Sequence, residues 1–406
     1  MIKLLSLFSG IGAFEKALDN IGEPYELINY CEIDKYASKA YSLIHNVDES
    51  KNLRDVCSID TNKLPRDIDL ITYGFPCQDI SLAGMQKGFY DKDGGLTRSG
   101  LFFTALHIIE ETKPKIAIAE NVKALTSKRF TKEFKTVLDC LNQAGYQNYW
   151  AVLNSKDYGV PQNRERVFII SIRNDIDQGF YFPQKQELKL RLKDLLEENV
   201  DEKYFLSDKL IGYFLANEKK QIKKGNGFRF NATEGNVVAK SITTQAGCRM
   251  DDNYILIKEA TEKGYKEAYD GDYVNIQFPS SKTRRGRVGE QIANTLICND
   301  GNGVVVYPRI RKLTPKECFR LMGFDDKDCD ILVGNKISNT QLYKMAGNSI
   351  VVDVLENIFI ELLSQYDDIF PNSSRKQKSS EICKWDVRSN WELRQINIFE
   401  IIDSIN

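Results

Sequence analysis

Asp69 to Ser81 reads DLITYGFPCQDIS. Leu70 to Tyr73 is an apolar run rich in β-forming residues, and Gly74 ends it. Phe75, Pro76, Cys77 and Gln78 follow. This is the pattern of a buried strand that stops and hands one cysteine to a loop. Pro76 fixes its own φ and holds Phe75 extended, so Cys77 enters the loop in a restricted pose. A lone cysteine is most often a packed core thiol. Against that reading, Cys77 follows a proline at a strand end, where α/β sheets place their ligand sites.

Outward from this strand the chain alternates. Ile2 to Phe8 reads as a strand, Phe14 to Ile21 as an amphipathic helix, Tyr25 to Cys31 as a strand and Asp34 to Ile44 as a helix. Ile68 to Tyr73 is the strand that leads to Cys77. Leu101 to Glu111 is a helix and Lys115 to Ala119 a strand. Thr131 to Ala144 is a helix with Phe134, Val137, Leu138 and Leu141 on one face. Tyr149 to Leu153 and Arg166 to Ile172 close the region as a strand pair. Strands separated by helices predict a mostly parallel sheet covered on both faces.

From Asn174 to about Pro308 the pattern is irregular, and its predicted strands are short. Two basic clusters stand out there. One holds Lys219, Lys220, Lys223, Lys224 and Arg229; the other holds Lys282, Arg284, Arg285 and Arg287. A charge cluster alone is an ordinary solvated surface. Two in one insertion, mixed with Asn, Gln and Thr, favour a surface that grips phosphates. Regular structure returns at Leu313, where Thr314, Pro315 and Glu317 form a capping box and Gly323 a helix stop. A last helix starts near Ser349, with Val351, Val354, Leu355, Ile358 and Leu362 on one stripe. Beyond Pro371 lie a polar linker and a tail with Trp385, Trp391 and the apolar run Ile396 to Ile402. The expected division is 1–173, 174–310, 311–370 and 371–406.

Composition narrows the chemistry. With 406 residues, 42% hydrophobic and 28% charged, the chain has the make-up of a globular protein of two domains, or of one domain with an insertion. No apolar run reaches the length of a membrane span. LLSLFSGIGAF is not read as a signal peptide, because Glu15 and Lys16 follow it at once. Reduced thiols in a cytoplasm are therefore expected. The nine cysteines are scattered without a CxxC pair, which suggests neither a disulfide framework nor a zinc site. With two histidines, His45 and His107, there is little for His-based catalysis or a His-rich metal site.

Four constellations carry chemistry. FSGIG, Phe8 to Gly12, sits at the end of the first strand, where glycines let backbone approach a ligand. Glu32 follows at the end of the second strand, a position that commonly binds ribose hydroxyls. Asp55-Val56 comes next, where an acid can accept from an exocyclic amine. With no Walker lysine present, these fit an adenosine-containing ligand better than a triphosphate. The second constellation is Cys77 with the glycine-rich stretch to Gly100, read as a lid. The third is Glu120-Asn121-Val122, which a parallel sheet puts on the same edge as Cys77; a strand-end acid in solvent is the plainer reading. The fourth is Gln162, Arg164 and Arg166, which alternate on a strand and suit an anion clamp or an exposed charged edge.

In this order, FSGIG, the CEID glutamate, Asp55-Val56, GFPCQDIS, RSGLF, ENV, QNRERV, LTPKECFRLMGF and AGNSIVVDVL resemble the C5-cytosine DNA methyltransferases of bacterial and phage restriction-modification systems. The resemblance runs from the N-terminus to about Leu362. It implies a Rossmann-like α/β domain that binds S-adenosylmethionine, with a smaller, loop-rich target-recognition domain inserted. It implies Cys77 as the nucleophile on cytosine C6, Glu120 at N3 and the exocyclic amine, and Arg164 and Arg166 as orienting charges. Phe8, Ser9, Gly10, Gly12, Glu32, Ile33, Asp55, Val56, Pro76, Leu101, Asn348 and Ser349 would line the cofactor pocket. Gln78, Ser81, Arg98, Lys223, Lys224, Arg229, Arg284, Arg285, Arg287 and Thr295 would face DNA, and no metal is expected. Thr295-Leu296 resembles the Thr-Leu pair of such recognition domains. Two positions depart from the common pattern: Ala13 stands where many relatives have a third glycine, and Ser6 where many have an acid. The implied partner is double-stranded DNA, bound by a monomer in the bacterial cytoplasm or nucleoid, with a cognate restriction endonuclease as a functional companion. A tRNA methyltransferase of the same chemistry, a silent DNA-binding regulator and a nucleotide-dependent oxidoreductase are the competing readings. Intact Cys77, Glu120, Arg164 and Arg166 weigh against the regulator. The oxidoreductase leaves Cys77 and the insertion unexplained.

Overall fold

The computed structural model describes residues 1–76, 89, 97–225, 229–233, 235–256, 273–275, 287–289, 302–304 and 310–366. The first half builds one sheet. Its strands are β1 (Ile2–Leu7), β2 (Tyr25–Cys31), β3 (Leu70–Tyr73), β4 (Ile116–Val122), β5 (Tyr146–Asn154) and, after the two-residue β6 (Gln162–Asn163), β7 (Glu165–Arg173). Their spatial order is β2-β1-β3-β4-β7-β5. The neighbours from β2 to β4 are parallel, and β7 runs antiparallel to both β4 and β5. The expected strand pair is therefore an antiparallel hairpin, β5–β7, closing a mostly parallel sheet.

Alternation along the strands explains the layers. Ile2 and Leu4 of β1, with Ile116 and Ile118 of β4, enter one core cluster. Leu5 and Leu7, with Ala117 and Ala119, enter the other. The period of two thus sends successive side chains to opposite faces, and both faces are covered. Helices α1 (Ala13–Ile21) and α2 (Lys35–His45) cover the first face, and α3 (Phe102–Thr112) and α4 (Thr131–Gln143) the second. Asp34 starts α2 by accepting from the Tyr36 and Ala37 amides. Strand β4 runs on to Val122 rather than ending at Ala119, because β7 pairs with it as far as Val122–Arg166. The segment before Asp55 makes only the isolated bridge Tyr30–Asn52, and Asp55 caps a short 3-10 turn.

In the insertion, α5 (Asp208–Lys223) stands where an irregular pattern was expected; Ser207 is its N-cap. Its Ile211 and Phe214 pack with Met250, Tyr254 and Ile310 in a separate small cluster. The short strands are β8 (Ala232–Thr233), β9 (Ala239–Lys240), β10 (Tyr254–Leu256), β11 (Tyr273–Asn275), β12 (Arg287–Gly289), β13 (Asn302–Val304) and β14 (Ile310–Lys312). They form the sheets β14-β10-β8 and β12-β11-β13, while β9 pairs with β6.

The return segment holds α6 (Pro315–Arg320), α7 (Asp326–Gly334), α8 (Asn339–Asn348) and α9 (Val352–Gln365). The capping box forms as the sequence predicts: Glu317 N–H donates to Thr314 Oγ1, and Thr314 N–H to Glu317 Oε2. Glu317 also holds the Arg311 guanidinium at 2.8 Å, with both side chains buried. The α9 stripe is buried against α1, where Phe14 and Phe359 meet edge to face at 6.3 Å.

Gly347 is where α8 meets the insertion. A Cβ there would lie 2.4 Å from the Thr243 carbonyl carbon and 2.4 Å from the Thr244 amide nitrogen, both backbone atoms. Gly347→Ala should therefore force the two segments apart, costing about 1–3 kcal/mol. Urea denaturation of wild type and variant measures this, and equal midpoints would refute the tight packing.

Candidate active site

A parallel sheet gathers its strand ends on one edge. The chain reverses direction across this sheet next to β1, whose neighbours are β2 and β3, and ligands of open α/β sheets bind at such a switch point. Three loops meet there: Phe8–Gly12 after β1, Glu32 after β2 and Gly74–Pro76 after β3. The carboxyl end of β4, with Glu120 and Asn121, lies on the same edge.

The first loop is wound tightly. Phe8, Gly10 and Gly12 have φ of 53°, 57° and 79°. The left-handed region is ordinary for the two glycines and strained for Phe8. The end of β2 holds the loop in place. Ser9 N–H donates to Cys31 O at 3.0 Å, and Cys31 N–H to Ser9 Oγ at 3.2 Å. Gly10 N–H donates to Glu32 Oε2 at 2.9 Å, and Asp34 N–H to Glu32 Oε1 at 2.7 Å. A carboxylate has about four lone-pair sites, so Glu32 keeps capacity for two hydroxyl donors. Burial pushes its pKa up, and the Asp34 and Gly10 amides pull partly back. Asn52, a residue with no motif around it, fixes Glu32 from behind by bonding both its N–H and its carbonyl. Beside Glu32, Ile33 is 74% exposed, an apolar surface next to an acid. Asp55 is exposed, Val56 is buried and Leu101 is half-buried. Asn348 is exposed and Ser349 buried, where α8 gives way to α9. Lys344 ties α8 to this corner through Asp34 at 2.6 Å.

Across the crevice, Glu120 pairs with Arg166 Nε at 3.0 Å. Their strands place them diagonally on one sheet face, in reach of each other. The Glu120 side chain is only 13% exposed. Burial raises its pKa most; the Arg166 and then the Arg164 charges oppose that, and the net direction is upward. Asn121 Nδ2 donates to Phe75 O at 3.0 Å, which locks the end of β4 to the turn preceding Pro76. A methyl placed on Gly74 would touch Glu120 Oε2 at 3.5 Å. The carboxyl group thus stands beside the turn that leads into Cys77. Phe89 is buried in a ring cluster with Phe75, Phe102 and Phe103.

Cys77 itself, Gln78, Ser81 and most of the stretch read as a lid lie outside the described residues, as do Arg284, Arg285, Thr295 and the tail 371–406. Arg98 falls in the turn Arg98–Leu101, and Arg287 starts β12. Lys223, Lys224 and Arg229 are exposed at and beyond the C-terminal end of α5.

The two arginines of QNRERV part company. Arg166 faces Glu120, while Arg164 precedes β7 and is 4% exposed. Its Nη1 donates to Ser241 Oγ and Ile242 O, and its Nη2 to Gly347 O and Ser349 O, over 2.7–3.3 Å. Gln162 repeats the motif: it donates to Leu321 O at 2.6 Å and accepts from Ile242 N–H at 3.0 Å. The alternate positions read as one anion clamp therefore divide between the Glu120 carboxylate and main-chain carbonyls.

The sheet, with its crevice at the switch point, is a Rossmann-like α/β fold. Residues 2–364 match the model of the C-5 cytosine-specific DNA methylases, and the chain belongs to that family. It is 36% identical to orphan methyltransferase M.SPRI of Bacillus phage SPR, over 90% of this chain and 98% of that one. It is 31% identical to type II methyltransferase M.HhaI of Haemophilus parahaemolyticus, over 88% and 93%. In fold it resembles a DNMT2 variant of Spodoptera frugiperda, with a TM-score of 0.61 at 21% identity, covering 89% of this chain and all of that one.

The thiols differ sharply in surroundings. Burial pushes Cys31 and Cys329 up to about 12, and raises Cys318 well above its ordinary value. Cys57 and Cys248 are exposed. Iodoacetamide at pH 8 should therefore alkylate Cys57 and Cys248 in the native protein and spare Cys31, Cys318 and Cys329. Peptide mass spectrometry reads this directly; native labelling of Cys31 would contradict its enclosure.

Proposed function

We propose that the protein transfers a methyl group from S-adenosylmethionine to C5 of a cytosine turned out of duplex DNA, through a covalent bond between Cys77 and cytosine C6. The observation that carries this reading is the Glu120–Arg166 pair beside the turn that leads into Cys77.

The cofactor, when bound, supplies an electrophilic methyl group. Glu32, with its unused lone pairs, would hold the ribose hydroxyls, Ile33 would cover the adenine, and Phe8 to Gly12 would pass close to the amino-acid end. Cytosine C5 is a weak nucleophile. Addition of the Cys77 thiolate to C6 turns the ring into an enamine and makes C5 a carbon nucleophile. Glu120 favours that addition by giving N3 a proton or a strong hydrogen bond, a task suited to its raised pKa. Arg166 holds the carboxyl group in place, and its charge favours the thiolate. After C5 takes the methyl, it loses its proton to solvent, the C6–S bond breaks and 5-methylcytosine leaves. Arg164 serves the site from behind, as a positioning residue. The base must leave the stack for this chemistry, at a cost of a few kcal/mol. The exposed lysines of α5 and the basic stretch around Arg285 would grip the phosphates, while other residues of the insertion read bases. Such a mark would protect host or phage DNA from a restriction endonuclease of matching specificity.

Bisulfite sequencing of DNA from cells expressing the protein should show methylated cytosines in one fixed sequence context. Methyl incorporation into tRNA and none into duplex DNA would replace this reading with the RNA one. Cys77→Ala should abolish transfer while duplex binding persists, and measurable turnover by that variant would remove Cys77 as nucleophile.

Binding should also weaken steeply with salt, as counterions are released. The double variant Lys223→Ala/Lys224→Ala should flatten the log–log salt slope by about 0.9 for each phosphate the two lysines neutralise. An unchanged slope in a titration from low to high salt would take these lysines off the DNA.

A further inference from the structure

We infer that His45 is a positioning residue for the Phe8–Gly12 loop, clamping the peptide unit between Ile11 and Gly12 so that the loop keeps its shape for the cofactor. This inference rests on the proposed reading of that loop as part of the S-adenosylmethionine site.

The loop has three left-handed residues within five, at Phe8, Gly10 and Gly12. Such a path has many alternatives in a free chain and needs holding from outside. Ser9 is held by Cys31 and Gly10 by Glu32, both from the end of β2. Ile11 is held from α2, where His45 Nε2 lies 3.0 Å from Ile11 O. A carbonyl only accepts, so it is Nε2 that carries the hydrogen of this bond. The other end of the same peptide unit is also tied, since Gly12 N–H donates to Ser9 O at 2.9 Å. Rotating this peptide plane would break both bonds at once.

The ring is enclosed. Its side chain is 2% exposed, Nδ1 faces Asp19 Oδ2 at 3.7 Å, and the Tyr41 ring lies 4.8 Å away. Tyr41 is itself anchored through its hydroxyl to Glu15 at 2.9 Å. The imidazole also fills the space that a side chain at position 12 would need: a Cβ on Gly12 would fall 2.1 Å from His45 Nε2. Gly12 and His45 are thus complementary, one lacking a side chain where the other supplies a donor. His45 reaches the site only through the backbone of this loop, so its effect should be on cofactor affinity and not on the chemical step.

H45F keeps a ring of similar size and removes the donor; H45Q restores an N–H donor without the ring. Calorimetric binding of S-adenosylhomocysteine and steady-state kinetics on methylatable duplex DNA separate the possibilities. H45F should bind S-adenosylhomocysteine about five- to tenfold more weakly, the worth of one ordinary hydrogen bond. Its KM for S-adenosylmethionine should rise by the same factor, with kcat and the KM for DNA within about twofold of wild type and the thermal midpoint lowered by a few degrees at most. H45Q should recover most of the affinity. If H45F does not fold, H45N, too short to reach the carbonyl, takes its place with the same expected loss. Wild-type affinity in H45F or H45N, a fall in kcat without loss of affinity, or an H45Q as weak as H45F would each overturn the inference. Wild-type protein that binds no S-adenosylhomocysteine would instead retire the reading of the loop itself, and His45's role with it.

Discussion

One guanidinium joins the parts of this enzyme. Arg164 receives Ser241 and Ile242 from the insertion, and Gly347 and Ser349 from the return segment. Stretches that stand far apart in the chain thereby share one buried cation. The desolvation of that cation is offset by acceptors aimed at both terminal nitrogens. Truncating it would leave several buried carbonyls without a donor, at roughly 1–3 kcal/mol each. Gln162 extends the joint, donating to Leu321 O of the return segment and accepting from Ile242 N–H of the insertion. Ser349, proposed to line the cofactor pocket, is therefore located by the same guanidinium that seats the insertion.

The two carboxylates of the crevice show how environment divides labour. Glu32 and Glu120 both sit at strand ends of one sheet, and burial raises the pKa of both. Glu32 is satisfied by main-chain amides, which hold an acceptor in a fixed pose for hydroxyl donors. In Glu120 burial favours the protonated form, and the Arg166 charge opposes it. The first arrangement suits recognition and the second suits proton sharing.

Much of this was legible from the residues. The alternation of strands and helices gave the sheet, and period-two burial in β1 and β4 followed the apolar pattern. Thr314, Pro315 and Glu317 announced their capping box because that motif is wholly local. Strand β4 was read too short because its last residues, Glu120 to Val122, are polar or mixed and are held by a partner strand far along the chain. Arg164 and Arg166 looked equivalent on a period-two count; only the departure of Arg164 from the strand sends it to the joint. Helix α5 was missed because its apolar residues crowd into its first half and the lysines of its second half read as a basic loop, although Ser207 marked its start. Asn52 and His45 carried no local signal, since each acts on a backbone atom more than 19 residues away.

The packing of α1 on α9 has a temporal consequence. The first helix is complete by residue 21, and its partner ends at residue 365. At ordinary translation rates the interval is on the order of tens of seconds. Until then the apolar stripe of α1 has no cover from the helix that finally shields it, and the tie from Lys344 to Asp34 does not exist. The nascent chain therefore carries an uncovered apolar flank for most of its synthesis, and that face is closed only once the last helix has left the ribosome.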